Sequence, residues 1–160
     1  MGNRLSFCKV QLIKEKSEVY ADLRISSPSD AVRKLQPVIK QLLEDADREN
    51  FVVLYLDTKH KVTGVEIVST GSLNASVVHP REVFKGALLH NAAAIICAHN
   101  HPSGDPTPST EDEAVTKRLF EAGKLLGINL LDHLVIGEGG NYRSFREMGI
   151  ITDDQLKFKF

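Results

Sequence analysis

The residues of this chain best suited to chemistry stand close together: His99, His101 and, eleven residues on, Asp112. They follow the apolar run Ala92-Ala93-Ala94-Ile95-Ile96-Cys97-Ala98, short and partly β-branched, which reads as a buried strand. Residues i and i+2 of a strand point to one side, so His99 and His101 project together from its carboxyl end, where Pro102 stops the ladder. A Ser-Gly-Asp-Pro-Thr-Pro loop follows, then Ser109-x-x-Asp112 and a helical pattern. Two imidazoles and a carboxylate in the first helical turn supply three ligands for a tetrahedral Zn²⁺, one per chain, with a fourth position open to water. Ser109-x-x-Asp112 is equally a capping-box pattern, and the two roles are compatible, since the cap would hold Asp112 in place.

The spacing His-x-His-Pro-x6-Ser-x-x-Asp resembles the metal motif of JAMM (MPN+/JAB1) metallopeptidases. The phrases Val78-His79-Pro80-Arg81-Glu82-Val83, Ala98-His99-Asn100-His101-Pro102-Ser103-Gly104-Asp105 and Leu131-Asp132-His133-Leu134-Val135-Ile136-Gly137 resemble the RadC family within that group. This resemblance covers roughly residues 45 to 150. It implies an α+β fold of JAB/MPN-like (cytidine-deaminase-like) type, three layers with a mixed central sheet flanked by helices. It also implies a zinc-dependent peptidase or isopeptidase, with water activated by the metal attacking an amide carbonyl.

Such a hydrolase needs a base outside the ligand set, within reach of the water. In JAMM proteins a glutamate ahead of a central strand, in the pattern Glu-x-x-Gly-x-Leu-x-Gly, has that role. Here the pattern reads Glu49-Asn50-Phe51-Val52-Val53-Leu54-Tyr55-Leu56: glutamate and leucine match, and both glycines are replaced. Glu66, within Gly64-Val65-Glu66-Ile67-Val68, is the second candidate, although alternation there fits a solvent-facing position. By resemblance, Ser109 donates a hydrogen bond to the oxyanion. His133 reads as a core histidine or one that supports a ligand. Cys97 shares the parity of His99 and His101 but reads as a small buried hydrophobe, and Asp105 reads as a turn-former. His60, His79 and His90 read as surface or packing residues.

The elements that must position these residues follow from periodicity. Residues 5–13 and 18–25 alternate around Lys14-Glu15-Lys16-Ser17 and predict an opening β-hairpin. Ser27-Pro28-Ser29-Asp30 predicts a helix start, with Ala31, Leu35, Val38, Ile39, Leu42 and Leu43 on one face and Pro37 kinking or splitting the helix. Phe51 to Leu56 reads as a strand buried on both faces, 62–69 as its hairpin partner, and Leu73 to Val78 as a further extended stretch. Pro80 opens a helix with Val83, Phe84, Ala87 and Leu88 inward. Residues 110–126 form the next helix with Gly127 as its C-cap, Ile128 to Ile136 a strand, and Phe145 to Met148 a final helical turn. The domain organisation expected is an N-terminal hairpin extension over 1–26, a JAB/MPN+ domain over 27–150 and a tail over 151–160.

Composition narrows the function classes. A formal net charge of −1 argues against a broad nucleic-acid surface. RadC proteins commonly carry an amino-terminal helix-hairpin-helix region, and this sequence shows no match to one, so the expectation is a short form. Direct DNA binding is therefore not expected, and a DNA-repair-associated protein or a non-catalytic binding module on the same fold stands as the alternative. The zinc deaminases are disfavoured because His-x-Glu and Pro-Cys-x-x-Cys are absent. Lys9, Lys14 and Lys16 interrupt any early apolar stretch, no run reaches membrane-spanning length, and Cys8 and Cys97 make no disulfide framework. The expectation is a cytoplasmic protein acting on a peptide or protein of unknown identity, with no cofactor besides zinc, no membrane partner, and its oligomeric state open.

Overall fold

Seven consecutive residues of β1 (Asn50–Leu56) are buried, as a run apolar on both faces requires. The computed structural model describes residues 6, 8–18, 20, 23–43, 48–71 and 78–152. β1 pairs antiparallel with β2 (Val62–Thr70) on one side and with β3 (Ala94–Asn100) on the other. β3 pairs parallel with β4 (Asn129–Ile136), and the short β5 (Tyr142–Ser144) closes antiparallel on β4. The five-stranded sheet has the order β2-β1-β3-β4-β5. It is mixed, as expected.

Alternation sends the strand residues into two cores. Phe51, Val53 and Tyr55 pack with Val83, Phe84 and Ala87 of α2 (Pro80–Leu89) and with Val115, Leu119 and Phe120 of α3 (Thr110–Leu126). Val52, Leu54 and Leu56 pack with Ala31, Val32, Leu35 and Ile39 of α1 (Pro28–Leu43). The result is three layers, one helix on one face of the sheet and two on the other, which is the JAB/MPN-like α+β arrangement.

Local chemistry explains the element ends. α3 starts on a complete capping box at Ser109 and ends on Gly127 at φ 73°, a left-handed position that glycine takes without strain. α1 starts with the Asp30 amide donating to Ser27 Oγ at 3.1 Å. The Asp30 carboxylate accepts from Ser26 N (3.0 Å) and Ser26 Oγ (2.8 Å), one residue ahead of the cap. Pro37 does not split α1. The proline and Arg33, whose carbonyl has no amide proton to accept at position 37, are both exposed, so the apolar face stays packed.

Other expectations are corrected or fall outside the structure. Residues 8–18 form no strand and are exposed, and Arg24 bridges to Lys61, so the described residues do not build the expected hairpin. The rest of that hairpin, residues 73–77 of the further extended stretch, and the tail from 153 onward lie outside the described residues. Phe145 to Met148 forms turns rather than helix, stopped by Gly149 at φ 74°. No helix among the described residues is long and apolar enough to cross a membrane.

Candidate metal centre

β3 carries His99, completely buried, and the chain keeps strand parity for one residue more because His101 N donates to Ile136 O at 2.9 Å. Both imidazoles therefore meet Asp112, held in the first turn of α3 and 3% exposed. His99 Nε2 lies 3.3 Å from Asp112 Oδ1, and His101 Nε2 lies 3.4 Å from Asp112 Oδ2. One ligand atom from each of the three residues falls within 4.8 Å of the others. Burial opposes ionisation of Asp112, but its contact with His99 and the hydrogen bond from the Ser109 amide prevail and hold its carboxyl well below the usual range.

The hydrogen bonds around this cluster fix its tautomers. Thr116 Oγ1 donates to the Asp112 carbonyl at 2.7 Å, and a carbonyl can only accept. The Thr116 oxygen must then accept from His133 Nδ1, 2.6 Å away. Complete burial holds His133 neutral, its pKa well below the ordinary value, so its Nε2 is an acceptor and takes the proton of His99 Nδ1 at 2.8 Å. His101 Nδ1 likewise donates to the Asp105 carbonyl at 2.8 Å. In the neutral imidazoles this leaves both Nε2 atoms as lone pairs, 3.1 Å apart and beside the Asp112 carboxylate. Such a group of three acceptors is satisfied by a cation, and two imidazoles with one carboxylate suit zinc.

His133 reaches His99 because β4 contains a register shift: Ile95 pairs with Leu130, but Ile96 pairs with Asp132. The extra residue, Leu131, rephases the strand so that His133 stands beside Cys97 and on the His99 side. Phe145 stacks on the His133 ring at 4.9 Å and Phe51 meets its edge at 5.3 Å. His133 is thus buried in the core between Phe51 and Phe145 and hydrogen-bonded to His99 at the same time. Cys97 is a fully buried member of the core, its thiol pushed up by desolvation.

The loop after His101 rests on the turn after β4. Gly104 O accepts from Glu138 N at 2.9 Å, and a Cβ on Gly137 would stand 2.4 Å from Gly104 O and 2.8 Å from Pro106 Cδ. Asp105 is the expected turn-former, accepting from Thr107 N (2.9 Å) and Thr107 Oγ1 (2.7 Å). Its carbonyl, which sequence reasoning did not use, orients His101. Ser109 Oγ accepts from Asp112 N at 3.1 Å while Ser109 N donates to Asp112 Oδ2 at 2.7 Å. The cap uses an oxygen lone pair and leaves the hydroxyl proton of this exposed serine able to donate elsewhere.

Glu49 directly precedes β1, and Phe51 pairs with His99 with their rings stacked at 6.3 Å. Strand parity puts residue 49 on the face of residue 51, which is the face of the metal cluster. Glu66 pairs with Val53 on β2, and its Oε2 accepts from Tyr55 Oη at 2.6 Å. Tyr55 lies four residues along β1 from Phe51, roughly 13 Å at strand rise. Sequence reasoning missed Thr116, although its spacing of four from Asp112 puts both on one helical face, where a polar residue beside a ligand is a signal.

Residues 25–150 match the family described as the RadC-like JAB domain. The chain belongs to this family. As a RadC-like JAB domain it is 52% identical over 128 residues to a "UPF0758 protein" of Methanosarcina mazei, a stretch covering 80% of this chain and 54% of that one. It is 60% identical over 104 residues to a "UPF0758 protein" of Symbiobacterium thermophilum, covering 65% and 44%. With a "UPF0758 protein" of Methanococcoides burtonii the identity is 48% over 143 residues, 88% of this chain and 60% of the other. The RadC-like chain spans about half the length of the curated relatives it matches.

Proposed function

We propose that this RadC-like JAB domain is a zinc-dependent hydrolase of peptide or isopeptide bonds. The observation that carries this reading is the convergence of His99 Nε2 and His101 Nε2 on the Asp112 carboxylate, with both Nδ1 atoms engaged elsewhere. His99, His101 and Asp112 would hold the zinc. When bound there, zinc supplies Lewis acidity that lowers the pKa of water towards about 7 and polarises a carbonyl. Glu49 takes the proton of the attacking water and delivers it to the departing amine nitrogen as the carbon–nitrogen bond breaks. Ser109 donates its hydroxyl proton to the oxyanion of the tetrahedral intermediate, a role its cap leaves available. Glu66 is not the base in this reading, because its carboxylate is engaged by Tyr55 at the other end of β1. The partner is a peptide or protein; with a net charge of −1, direct nucleic-acid binding forms no part of the reading.

Elemental analysis of the purified chain and of His101→Ala tests the metal: one zinc per wild-type chain and a large loss in the variant are expected. Screening zinc-loaded protein against peptide and isopeptide libraries tests the reaction. Glu49→Gln keeps fold and zinc and loses about a hundred- to ten-thousand-fold in turnover, while Glu66→Gln changes little. Full turnover in Glu49→Gln would transfer the base to another residue. Equal zinc in wild type and His101→Ala would remove the ligand assignment.

A further inference from the structure

Asn100 stands between the two histidine ligands, yet its side chain leaves β3 from the opposite parity and does not join the cluster. It works on β1 instead. Asn100 Oδ1 accepts from the Asn50 amide at 2.8 Å, and Asn100 Nδ2 donates to the Arg48 carbonyl at 3.0 Å. The two partners settle the orientation of the carboxamide, because an amide N–H needs an acceptor and a carbonyl needs a donor.

These contacts bracket one residue, Glu49. The pairing of β1 with β3 ends at Phe51 and His99, so the polar groups of Arg48 and Asn50 lie beyond the last backbone rung on that side. The Asn100 carboxamide offers one C=O and one N–H, as a peptide unit does, and so adds a rung made of side chain. On the other side, Glu49's own carbonyl accepts from Gly71 N at 2.8 Å. The peptide before Glu49 and the peptide after it are thus tied to the metal strand, and Glu49 itself is tied towards β2. A residue at a strand end would otherwise fray, and its side-chain direction would fray with it.

We infer that Asn100 is the positioning residue for Glu49: its two hydrogen bonds hold the backbone on either side of the glutamate so that the carboxylate stays on the metal-ligand face. This rests on the reading of Glu49 as the base, and it explains the residue between the histidines. One three-residue unit then sets the centre, with residues 99 and 101 giving ligands and residue 100 registering the base against them.

The test compares the full-length wild type with Asn100→Ala and the near-isosteric Asn100→Asp, which keeps an acceptor for Asn50 but has no donor for Arg48. In metal-free protein, exchange of the Asn50 amide should rise by at least about tenfold in Asn100→Ala and stay near wild type in Asn100→Asp. With cobalt(II) as the bound probe, the paramagnetic shift of the Glu49 side chain should be large and single-valued in wild type. It should collapse towards an averaged value in Asn100→Ala and fall between in Asn100→Asp. Shifts of Ser109 and Thr116 should hold in all three, since the ligands are untouched. Glu49 shifts in Asn100→Ala that superpose on wild type, or unchanged Asn50 exchange, would overturn the inference. The exchange arm needs no metal. Should Asn100→Ala not fold, the Asn100→Asp shifts decide. Failure of the base assignment reads out separately, as retained peptide hydrolysis in Glu49→Gln with the Asn100 effects on exchange and shift intact.

Discussion

Thr116 contributes one hydroxyl, and that hydroxyl determines which nitrogen of His99 is bare. Its proton goes to the Asp112 carbonyl, so its oxygen must receive His133, and His133 must receive His99. Thr116→Val keeps the shape and removes the acceptor, leaving the buried His133 Nδ1 proton unmatched unless the imidazole changes tautomer. It would then compete for the wrong proton on His99. Partners of metal-bound histidines are typically worth about ten- to a hundredfold in affinity, so zinc binding should weaken by that much in Thr116→Val and recover in Thr116→Ser. Competition with a chromophoric chelator measures it, and equal affinity in all three proteins would show that the relay does not govern His99. At this scale the clustering of His99, His101 and Asp112 was legible in the sequence, because His-x-His and Ser-x-x-Asp carry strand parity and helix-cap spacing on their face. Thr116, Asn100 and the Asp105 carbonyl were not. Their contribution depends on which neighbour they meet, and pairing partners are set by the fold.

Elements were legible where one period ran unbroken. α3 begins at Thr110 and ends at Leu126, with Gly127 capping, because the cap, the apolar face and the terminator agree. The opening segment misled because alternation alone does not bury a side chain: among the described residues Val10 and Ile13 are 74% and 76% exposed. The register shift at Leu131 was also hidden, since an extra residue in a strand changes pairing without changing composition. The turns show the same division. Gly127 has open space where a Cβ would be, so Gly127→Ala should cost only left-handed strain, about 1–2 kcal/mol, and leave zinc affinity alone. Gly137 has no space, and Gly137→Ala must push the Gly104–Pro106 loop that orients His101. A comparable stability loss of about 1–3 kcal/mol is expected there, together with weaker zinc binding. Denaturant midpoints and zinc titrations on both variants check it, and the contrast fails if both bind zinc as wild type does.

For the whole molecule, Asp132 ties the end of the sheet together. Its carboxylate accepts from Ser144 Oγ at 2.7 Å, His133 N at 2.8 Å and Arg146 N at 3.1 Å, which joins β4 to β5 and the final turn. Burial nonetheless outweighs these bonds and pushes its pKa up to about 6 from 3.8. The folded state therefore holds this proton more tightly than the unfolded chain. The associated stability is fully present below about pH 4 and is lost as pH rises through about 6. Relative to wild type, metal-free Asp132→Asn should gain stability between pH 4 and pH 7, by no more than about 3 kcal/mol. Urea midpoints across that range give the difference, and a pH-independent gap would mean that Asp132 ionises normally. Other groups set the absolute curve, which is why the difference is the quantity to read.

The three ligands are unequally covered: the side chains of His99 and Asp112 are 0% and 3% exposed, and that of His101 is 14% exposed. Of the three, His101 is the one solvent reaches, and its loop rests on Gly137. In the zinc reading proposed above, His101 is the first side chain to let go. Metal loss to a fixed concentration of chelator should then be faster in Gly137→Ala than in wild type, and equal rates would show that the loop does not govern release.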